Sequence, residues 1–391
     1  MILKILFWIF LGIILYAYIG YTLLLLIFSA VRKISHYGKA ISFPVYEPAV
    51  TLLIPAFNEA DYVMAKVRNS LDLNYPREKL RIVWVIDGSN DKTADLLSHY
   101  PDITMLHERE RKGKVHAMNR YMKIADTPVV VFTDANTMLN ADAIGEMVSL
   151  FADGRTGCVT GEKRISVSGS QKAVDAGEGL YWQYESLIKK LESETGSVMG
   201  AVGELFAVRR DLYQPVKEDT LLDDFTISMQ ILRQGYRIQY APKAWGTETA
   251  SLNIGEEIKR KTRIAAGGMQ ALTRMTDLLN PFRYGRLTVM YFSHKVLRWT
   301  LVPISFPLIF ILNFLILLFP DHSRIFTVLF VMQCLFYLLV FAGGIFHNVR
   351  LRIRALFVPY YLFIMNYAVI KGFFRFINGQ YTVNWQKVRR S

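Results

Sequence analysis

Three apolar segments of the chain each run into polar side chains that could bind a metal ion or another ligand. Residues 50–54 (VTLLI) precede Asn58 and Glu59, residues 81–86 (RIVWVI) precede Asp87, and residues 129–132 (VVVF) precede Asp134 and Asn136. Carboxylate and amide oxygens are the ligands that hard divalent cations prefer. A carboxylate at the end of a buried strand is costly unless something uses it. Asp134 therefore indicates a metal or ligand site.

A simpler interpretation of the segment from Asp134 to Asn136 is a turn that leaves a strand. Asp and Asn side chains hydrogen-bond to nearby backbone and so stabilise turns of this kind. The segment alone does not distinguish a ligand site from a turn. The choice between them depends on the rest of the chain.

The apolar segments alternate with helical patterns, which predicts an α/β fold built on a parallel, doubly wound sheet. A fourth short strand is expected at residues 103–107. In such a sheet, ligands bind beyond the carboxyl ends of the strands. We therefore expect the three polar groups to converge on one edge.

Composition points to a membrane protein that also has a water-exposed domain. Hydrophobic residues make up 52% of the 391 residues, charged residues make up 20%, and the net charge is +13. Such an excess of positive charge is typical of cytoplasmic faces and of contact with anionic lipids. No basic stripe accompanies a nucleic-acid-binding motif, so no nucleic-acid partner is expected. Cys158 and Cys334 lie too far apart in the sequence to indicate a disulfide framework.

Residues 5–30 are long and apolar enough to span a bilayer. Arg32, Lys33 and Lys39 follow this segment and only Lys4 precedes it, which predicts that the next domain is cytoplasmic. An uncleaved anchor is favoured over a signal peptide, because the segment is too long and no small-residue cleavage site follows.

The C-terminal part is predicted to return to the membrane. Residues 297–319 and 325–346 are long enough to span, and 287–299 resembles a helix lying in the membrane interface. Residues 355–374 are interrupted by Pro359, and basic residues on both sides of them predict cytoplasmic flanks. Either these residues do not fully cross or one flank lies outside, and we expect a cytoplasmic tail.

These features divide the chain into four parts. They are an anchor and linker (1–48), an α/β domain (49–252), basic and interfacial helices (253–296), and membrane helices with a tail (297–391). The expected location is the plasma (inner) membrane, with several spans and with membrane lipids as partners.

A series of motifs resembles the family 2 glycosyltransferases of GT-A fold. The motifs are Pro55-x-x-Asn58-Glu59, Asp87-Gly-Ser-x-Asp91, Gly113-Lys114-x-x-Ala117-x-Asn119, the Asp134-x-Asn136 strand end, and the later pair Asp223-Asp224 with Arg263. Their order and the membrane layout are similar to the branch of cellulose, hyaluronan and poly-N-acetylglucosamine synthases. The resemblance covers about residues 50–270 and implies a Rossmann-like, mostly parallel sheet in a cytoplasmic domain joined to transmembrane helices.

The resemblance implies a nucleotide-sugar donor, with a UDP-sugar expected over a GDP-sugar, and Mg²⁺ or Mn²⁺ as cofactor. Asp134 and Asn136 would bind the metal, although many relatives have a second Asp at position 136. The donor-binding residues would be Pro55, Asn58, Glu59, Asp87, Lys114 and Arg263. Ile86 replaces the first of the two acids that many relatives have before Asp87. Asn58 precedes a helix and could also cap it.

For the acceptor, the resemblance makes Asp224 the general base of an inverting, β-forming transfer. Gly203, Glu204, Asp223 and Arg260 would contact the acceptor, and Asp223 is also expected to cap its helix. Ile264 replaces the Trp that helps to form the acceptor site in polymer synthases. The basic helix around Arg263 could alternatively face lipid.

Three functions remain open at this point. The first is extension of an extracellular polysaccharide, and the second is non-processive transfer of one sugar to a lipid such as a polyprenyl phosphate or a ceramide-like acceptor. The third is a non-catalytic scaffold, which the departures at Ile86, Asn136 and Ile264 allow. Retention of the other acids and of Arg263 favours an enzyme.

Overall fold

A computed structural model describes residues 1–35, 46–166, 174–249, 254–346 and 354–380. The helices are α1 (Ile2–Leu15), α2 (Tyr21–Ser35), α3 (Ala60–Leu71), α4 (Thr93–Leu97), α5 (Lys114–Met122), α6 (Ala143–Val148), α7 (Val174–Thr195), α8 (Asp223–Arg233), α9 (Ile254–Arg274), α10 (Pro281–Tyr284), α11 (Arg286–Tyr291), α12 (Leu297–Trp299), α13 (Leu301–Leu317), α14 (Arg324–Phe346) and α15 (Arg354–Ile377). The strands are β1 (Val50–Ala56), β2 (Leu80–Asp87), β3 (Thr104–Glu108), β4 (Val129–Thr133), β5 (Met138–Leu139), β6 (Thr156–Ser166), β7 (Leu205–Arg209) and β8 (Arg237–Thr249).

Eight strands form one sheet in the order β3-β2-β1-β4-β7-β6-β8-β5. The predicted parallel part is confirmed, because β3, β2, β1 and β4 pair in parallel with helices between them. The other half is mixed: β7 runs antiparallel to β4 and β6, and β5 runs antiparallel to β8. The sequence did not predict β6, β7 and β8, so a doubly wound sheet describes only half of this one.

Apolar side chains cover both faces of the parallel half. Along β2, Val83 and Val85 belong to one core, and Trp84 and Ile86 belong to the core on the opposite face. Phe132 of β4 stacks on Phe206 of β7, with ring centroids 4.6 Å apart. Burial on both faces holds these strands rigidly, so the residues at their carboxyl ends have fixed positions.

Two helices are long and apolar enough to cross a membrane, within the described residues. They are Ile2–Ile34, which joins α1 to α2 through a π-helical turn, and Arg324–Ile345. A third span is possible if Arg286–Trp299 and Leu301–Leu317, which are bent by 54° relative to each other, count as one. Lys4 donates a hydrogen bond to the carbonyl oxygen of Asp321 (3.1 Å), so the start of α1 lies beside the α13–α14 turn.

The helix α15 is less apolar than α14 and is not one of these candidate spans. It runs through Pro359 without ending and packs closely on α9. A Cβ atom built on Gly372 would lie 2.5 Å from the Cβ of Ala265 and 2.8 Å from the carbonyl oxygen of Thr262. The tail beyond it, residues 381–391, lies outside the described residues.

The predicted interfacial helix at 287–299 contains a π-helical turn, Phe292–Val296. Two of its polar side chains, His294 and Arg298, contact carboxylates within the protein. His294 is 2.7 Å from a carboxylate oxygen of Glu192, and Arg298 is 2.7 Å from one of Glu185. Both partners, Glu192 and Glu185, lie on α7. A buried charge requires an opposite charge close by, and these carboxylates supply it.

Candidate active site

A cavity of about 330 Å³ opens at the carboxyl edge of the sheet. The segment after β4, the segment before β7, the start of α8 and one side of α9 contribute to its lining. Ten residues predicted from the sequence line it: Glu59, Lys114, Asp134, Asn136, Gly203, Glu204, Asp223, Asp224, Arg260 and Arg263. The structure therefore brings together the predicted metal, donor, base and acceptor residues.

Lys114 links the end of β4 to the start of α8. Its Nζ is 2.7 Å from Oδ1 of Asp134 and 3.4 Å from Oδ2 of Asp223. Burial on its own would lower the pKa of Lys114, and the two carboxylates raise that pKa above its ordinary value. Burial also raises the pKa of Asp134, against the opposing effect of the Lys114 ammonium. An ammonium thus already neutralises part of the negative charge at this edge.

The two acids of α8 occupy its first turn, where the helix dipole favours negative charge. The residue at the cap position is Leu222, and no side chain forms a cap hydrogen bond there, so the prediction that Asp223 caps the helix is wrong. Burial and then the neighbouring Asp223 raise the pKa of Asp224 to about 7. A Cβ atom on Gly203 would lie 3.0 Å from Oδ2 of Asp224, so a glycine there leaves room beside the carboxylate.

Two arginines of α9, Arg260 and Arg263, line the cavity and differ in their ion-pair partners. Arg260 is held by Glu257, with its Nε and Nη2 atoms 3.0 and 2.8 Å from the two carboxylate oxygens. Arg263 makes no hydrogen bond or ion pair with any residue that the structure describes. Burial lowers the pKa of Arg263, and Asp223 opposes that effect. Arg263 is therefore available to an anionic ligand.

A buried ion cluster beneath the cavity was not predicted. Lys163 pairs with Glu204 and lies 2.8 Å from Oε2 of Glu248. Lys163 and Glu248 lie on β6 and β8, which are neighbours in the sheet but far apart in the sequence. No sequence motif therefore links the two residues. Glu204, predicted as an acceptor contact, is thus partly engaged by Lys163, which lowers the pKa of Glu204 against the effect of burial.

Lys66 of α3 is a second buried cation that the sequence analysis missed. It is fully buried, and its Nζ donates hydrogen bonds to Oγ1 of Thr133 (3.2 Å) and to the carbonyl oxygen of Thr137. These residues flank Asp134 and Asn136. A signal was present, because Lys66 lies among Val63, Val67 and Ser70 on the buried stripe of its helix.

Asp87 and Pro55 line a separate, smaller recess beside the cavity. Both carboxylate oxygens of Asp87 accept backbone hydrogen bonds, from the N–H groups of Lys112 (2.9 Å) and Gly113 (2.7 Å). Gly88 has φ +65°, and a Cβ atom there would lie 2.5 Å from the backbone nitrogen of Arg111. Asp87 thus holds the loop that leads to Lys114.

Asn58 does not cap α3, which corrects the alternative interpretation of this residue. The cap position is Glu59, whose own side chain makes no cap hydrogen bond, and the N–H of Ala60 donates instead to Oδ2 of Asp91 (3.1 Å). Asn58 instead adopts φ +55° and exchanges hydrogen bonds with Asn90, at 2.7 Å to its Oδ1 and 2.9 Å from its N–H. Asn58 lines neither of the two cavities described here and joins the loops after β1 and β2.

The end of the cavity that faces the membrane helices is lined by residues absent from the predictions. They are Tyr181, Trp182, Lys261, Lys295, Trp299, Met365 and Val369. The Nζ of Lys261 lies 5.2 Å from the ring of Trp182, and that of Lys295 lies 5.6 Å from the ring of Trp299. Aromatic rings therefore line the cavity although Ile264 replaces the expected Trp. These residues lie on α7, α9, α12, α15 and the π-helical turn Phe292–Val296. Because these elements are far apart in the sequence, no spacing pattern could have revealed that they meet.

The residues after β4 suit a metal ion that takes its remaining ligands from a bound substrate. Asp134 and Asn136 line the same cavity and offer one carboxylate and one amide oxygen. Among the described residues, no group of three or more His, Cys, Asp or Glu could hold a metal ion. A hard divalent cation would therefore need further oxygens, which the phosphates of a nucleotide could supply.

The sheet order and the cavity at its carboxyl edge define a glycosyltransferase of GT-A fold. Residues 48–267, more than half of the chain, match the model of the family described as "Glycosyltransferase like family 2", and the chain belongs to this family. It is therefore an enzyme that transfers a sugar, and its apolar helices make it a membrane protein.

Curated relatives and a solved structure are similar to this chain. Poly-beta-1,6-N-acetyl-D-glucosamine synthase of Staphylococcus aureus (strain MSSA476) is 30% identical over an alignment of 235 residues, and the match covers 58% of this chain and 56% of the relative. The enzyme of that name from Staphylococcus epidermidis is 26% identical over 236 residues, with the same coverage. The chain thus matches little more than half the length of these relatives.

The solved structure is the mannosyltransferase PcManGT from Pyrobaculum calidifontis in complex with GDP-Man and Mn2+. It has a TM-score of 0.70 at 21% sequence identity, and the match covers 96% of this chain and 100% of that chain. This similarity confirms the predicted GT-A fold.

Proposed function

We propose that this enzyme is an inverting, metal-dependent glycosyltransferase that uses a nucleotide-sugar donor at the cytoplasmic membrane face. The observation that carries the proposal is one cavity holding Asp134, Asn136, Asp224, Lys114 and Arg263. A nucleotide sugar presents a diphosphate, an anomeric carbon and a nucleoside. The cavity offers cationic groups and a buried carboxylate, and the separate recess lined by Asp87 and Pro55 lies beside it, which supports a ligand of this kind.

Asp224 is the proposed general base. In the transfer, its carboxylate takes the proton of the acceptor hydroxyl while that oxygen forms a bond to the anomeric carbon. The bond from the anomeric carbon to the phosphate oxygen breaks, and the nucleoside diphosphate leaves with the electron pair. Because displacement is direct, an α-linked donor gives a β-linkage. Burial supports this role, since a carboxylate with a raised pKa is a stronger base.

Arg263 and Lys114 are proposed to stabilise the departing diphosphate. Arg263 has no other partner among the described residues, and its planar guanidinium suits phosphate oxygens. Lys114 can turn from Asp134 towards a bound phosphate, because its side chain is flexible. Charge that develops on the leaving group would therefore be stabilised by two cationic side chains.

Asp134 and Asn136 would hold Mg²⁺ or Mn²⁺, which when bound supplies neutralisation of the diphosphate charge. Asp87, Pro55 and Glu59 are proposed to contact the nucleoside, with Asn58 supporting their loop. Asp87 would act through the loop that it holds as well as through its position in the recess. A UDP-sugar is the proposed donor.

A polysaccharide is the proposed acceptor, extended for export across the membrane. Similarity to synthases of poly-β-1,6-N-acetyl-D-glucosamine supports this product. Gly203, Glu204, Asp223 and Arg260 would contact the acceptor at the part of the cavity next to Asp224. The rings of Trp182 and Trp299 lie in the same cavity and could face sugar rings.

The test is consumption of nucleotide sugars by membranes that contain the full chain, with Mg²⁺ or Mn²⁺ and with EDTA. We expect release of the nucleoside diphosphate with a metal present and a loss of at least about 100-fold for Asp224→Asn. Asp211→Asn, an exposed acid of the domain, is the matched control. If no donor is consumed, or if Asp224→Asn retains wild-type rates, the proposal fails.

Transfer of one sugar to a lipid acceptor is the second candidate. It is favoured by the position of Met365 and Val369, which carry the cavity lining onto α15 beside the membrane helices. It is also favoured by Ile264 in place of the expected Trp. Product sizing separates the two candidates, since a radiolabelled donor would yield either a high-molecular-weight polymer or a single glycolipid on thin-layer plates.

A further inference from the structure

A group of arginines lies where the N-terminal span meets the catalytic domain, and none of them lines the active-site cavity. Arg32 lies in the last turn of α2, Arg155 directly precedes β6, Arg237 begins β8 and Arg286 begins α11. These residues come from four distant parts of the sequence, so only the fold brings them together.

The end of α7 is the centre of this group. Ser29 and Lys33 of α2 contact Glu194 near the end of α7, at 2.5 Å and 3.1 Å. These contacts place the last turn of α2, with Arg32, against that helix end. Two residues later, a Cβ atom on Gly196 would lie 3.0 Å from Nη2 of Arg286.

Two further contacts add the remaining arginines. The N–H of Ile238 donates to Oγ of Ser197 (2.9 Å), which places the start of β8 beside the same turn. The N–H of Arg237 donates to the carbonyl oxygen of Arg155 (2.8 Å). These contacts bring the backbone of Arg155 and Arg237 to the same helix end that Arg32 and Arg286 approach.

Two of the four arginines make no ion pair with a residue that the structure describes. Arg155 pairs with Asp153 at 3.0 Å, and Glu194 is engaged by α2, whereas Arg237 and Arg286 make no ion pair with a described residue. Burial, and then repulsion from Arg155 and Arg32, lower the pKa of Arg237. Like charges held together in this way favour an anionic partner.

We propose that Arg32, Arg155, Arg237 and Arg286 form a binding site for the phosphate head groups of anionic membrane lipids. Guanidinium groups bind phosphate oxygens in a planar, two-pronged geometry. The span Ile2–Ile34 ends two residues after Arg32, so the site lies at the level of the head groups.

The neighbouring surface favours a bilayer lipid over a free phosphate ion. Phe282, four residues before Arg286, is 99% exposed, and Val289 is 43% exposed. Apolar side chains beside a cationic patch are typical of surfaces that enter the membrane interface. The lipid would link the catalytic domain to the membrane independently of the sugar donor.

The test is the thermal stability of the full chain in neutral detergent, titrated with short-chain phosphatidylglycerol, short-chain phosphatidylcholine or inorganic phosphate. We expect phosphatidylglycerol to raise the Tm of the wild type by about 2 °C or more at saturation. Arg237→Gln/Arg286→Gln should lose this increase, and Arg237→Lys/Arg286→Lys should keep most of it.

The matched control is Arg68→Gln/Arg77→Gln, which removes the same charge from exposed positions and should keep the full increase. An equal effect of phosphatidylcholine on the wild type would overturn the site, as would an increase retained by the glutamine variant of the cluster. An equal increase with inorganic phosphate at the same concentration would overturn the assignment to lipid.

Discussion

At the scale of single residues, the pair Asp223-Asp224 controls when the base can act. Burial and the like charge of Asp223 raise the pKa of Asp224 to about 7. Since the base must be ionised to accept a proton, kcat/KM should rise with pH through about 7. Asp223→Asn removes the like charge, so the rising limb should move to lower pH. The measurement is the pH profile of donor consumption with acceptor present.

Asp223→Glu is the control for this shift, because it keeps the charge and should leave the limb near its wild-type position. A limb that stays at the same pH in Asp223→Asn would show that another group controls the profile. Asp223 also contacts Lys114 at 3.4 Å, so the overall rate can fall in both variants. The position of the limb, and not its height, is therefore the relevant readout.

Asn136 is the second residue whose type makes a measurable prediction. Asn136→Asp adds a carboxylate to the lining that already contains Asp134. A carboxylate binds a hard cation more strongly than an amide oxygen does, so the metal concentration for half-maximal activity should fall by about tenfold. Asn140→Asp, a few residues further on and outside the cavity lining, should leave that concentration unchanged. An unchanged metal requirement in Asn136→Asp would remove Asn136 from the proposed metal site.

The sequence predicted polar residues at strand ends better than it predicted their partners. Asp134, Asp224 and Arg263 reach one cavity because strand ends and helix starts converge at a sheet edge, which is a property of local pattern. Lys163 pairs with Glu248 across β6 and β8, and such a pairing depends on register between distant strands. The capping alternative for Asn58 and the capping prediction for Asp223 fail for one reason. A polar residue before or at a helix start can turn its side chain to another loop or to a cation.

At the scale of elements, the packing of α15 on α9 positions the helix that carries Arg263. The contact relies on Gly372, where a Cβ atom would lie 2.5 Å from the Cβ of Ala265. Gly372→Ala should push the helices apart and destabilise the protein by about 1–3 kcal/mol. Activity should fall with it, because Arg263 moves with α9. The measurements are Tm in detergent and donor consumption.

Gly12→Ala is the matched control for this variant. No atom lies within 4 Å of a Cβ placed on Gly12, which also lies in a helix of a membrane span. This variant should leave Tm and activity at wild-type values or raise Tm slightly, since alanine favours helix more than glycine does. If Gly372→Ala behaves in the same way, α15 does not position α9.

The elements also show why the sheet was only half predicted. The strands β1, β2 and β4 are continuous apolar segments, which indicate burial on both faces. By contrast, β6 and β8 carry charged residues such as Lys163 and Glu248 inward as ion pairs, which breaks the apolar pattern. The pattern fails where charged pairs lie inside the sheet.

At the scale of the whole molecule, α15 removes a conflict in the predicted topology. Basic residues before and after this helix both favour the cytoplasm, which two ends of a single span cannot satisfy. Because α15 packs on α9 of the catalytic domain and fails the test for a span, both of its flanks can lie on the same side. The basic residues on both sides of α15 can then all lie on the cytoplasmic side, as the positive-inside rule expects.

The same layout predicts which surfaces face outwards. Lys4 bonds to Asp321, so the start of α1 and the α13–α14 turn lie on one side, at the far ends of helices that lead away from the catalytic domain. With the domain in the cytoplasm, Asp321 should lie outside. In a variant with Cys158→Ala and Cys334→Ala, a cysteine introduced by Asp321→Cys should react with a membrane-impermeant maleimide in intact spheroplasts. Asp102→Cys, on the exposed surface of the domain, should react only after lysis; the opposite pattern would reverse the proposed orientation.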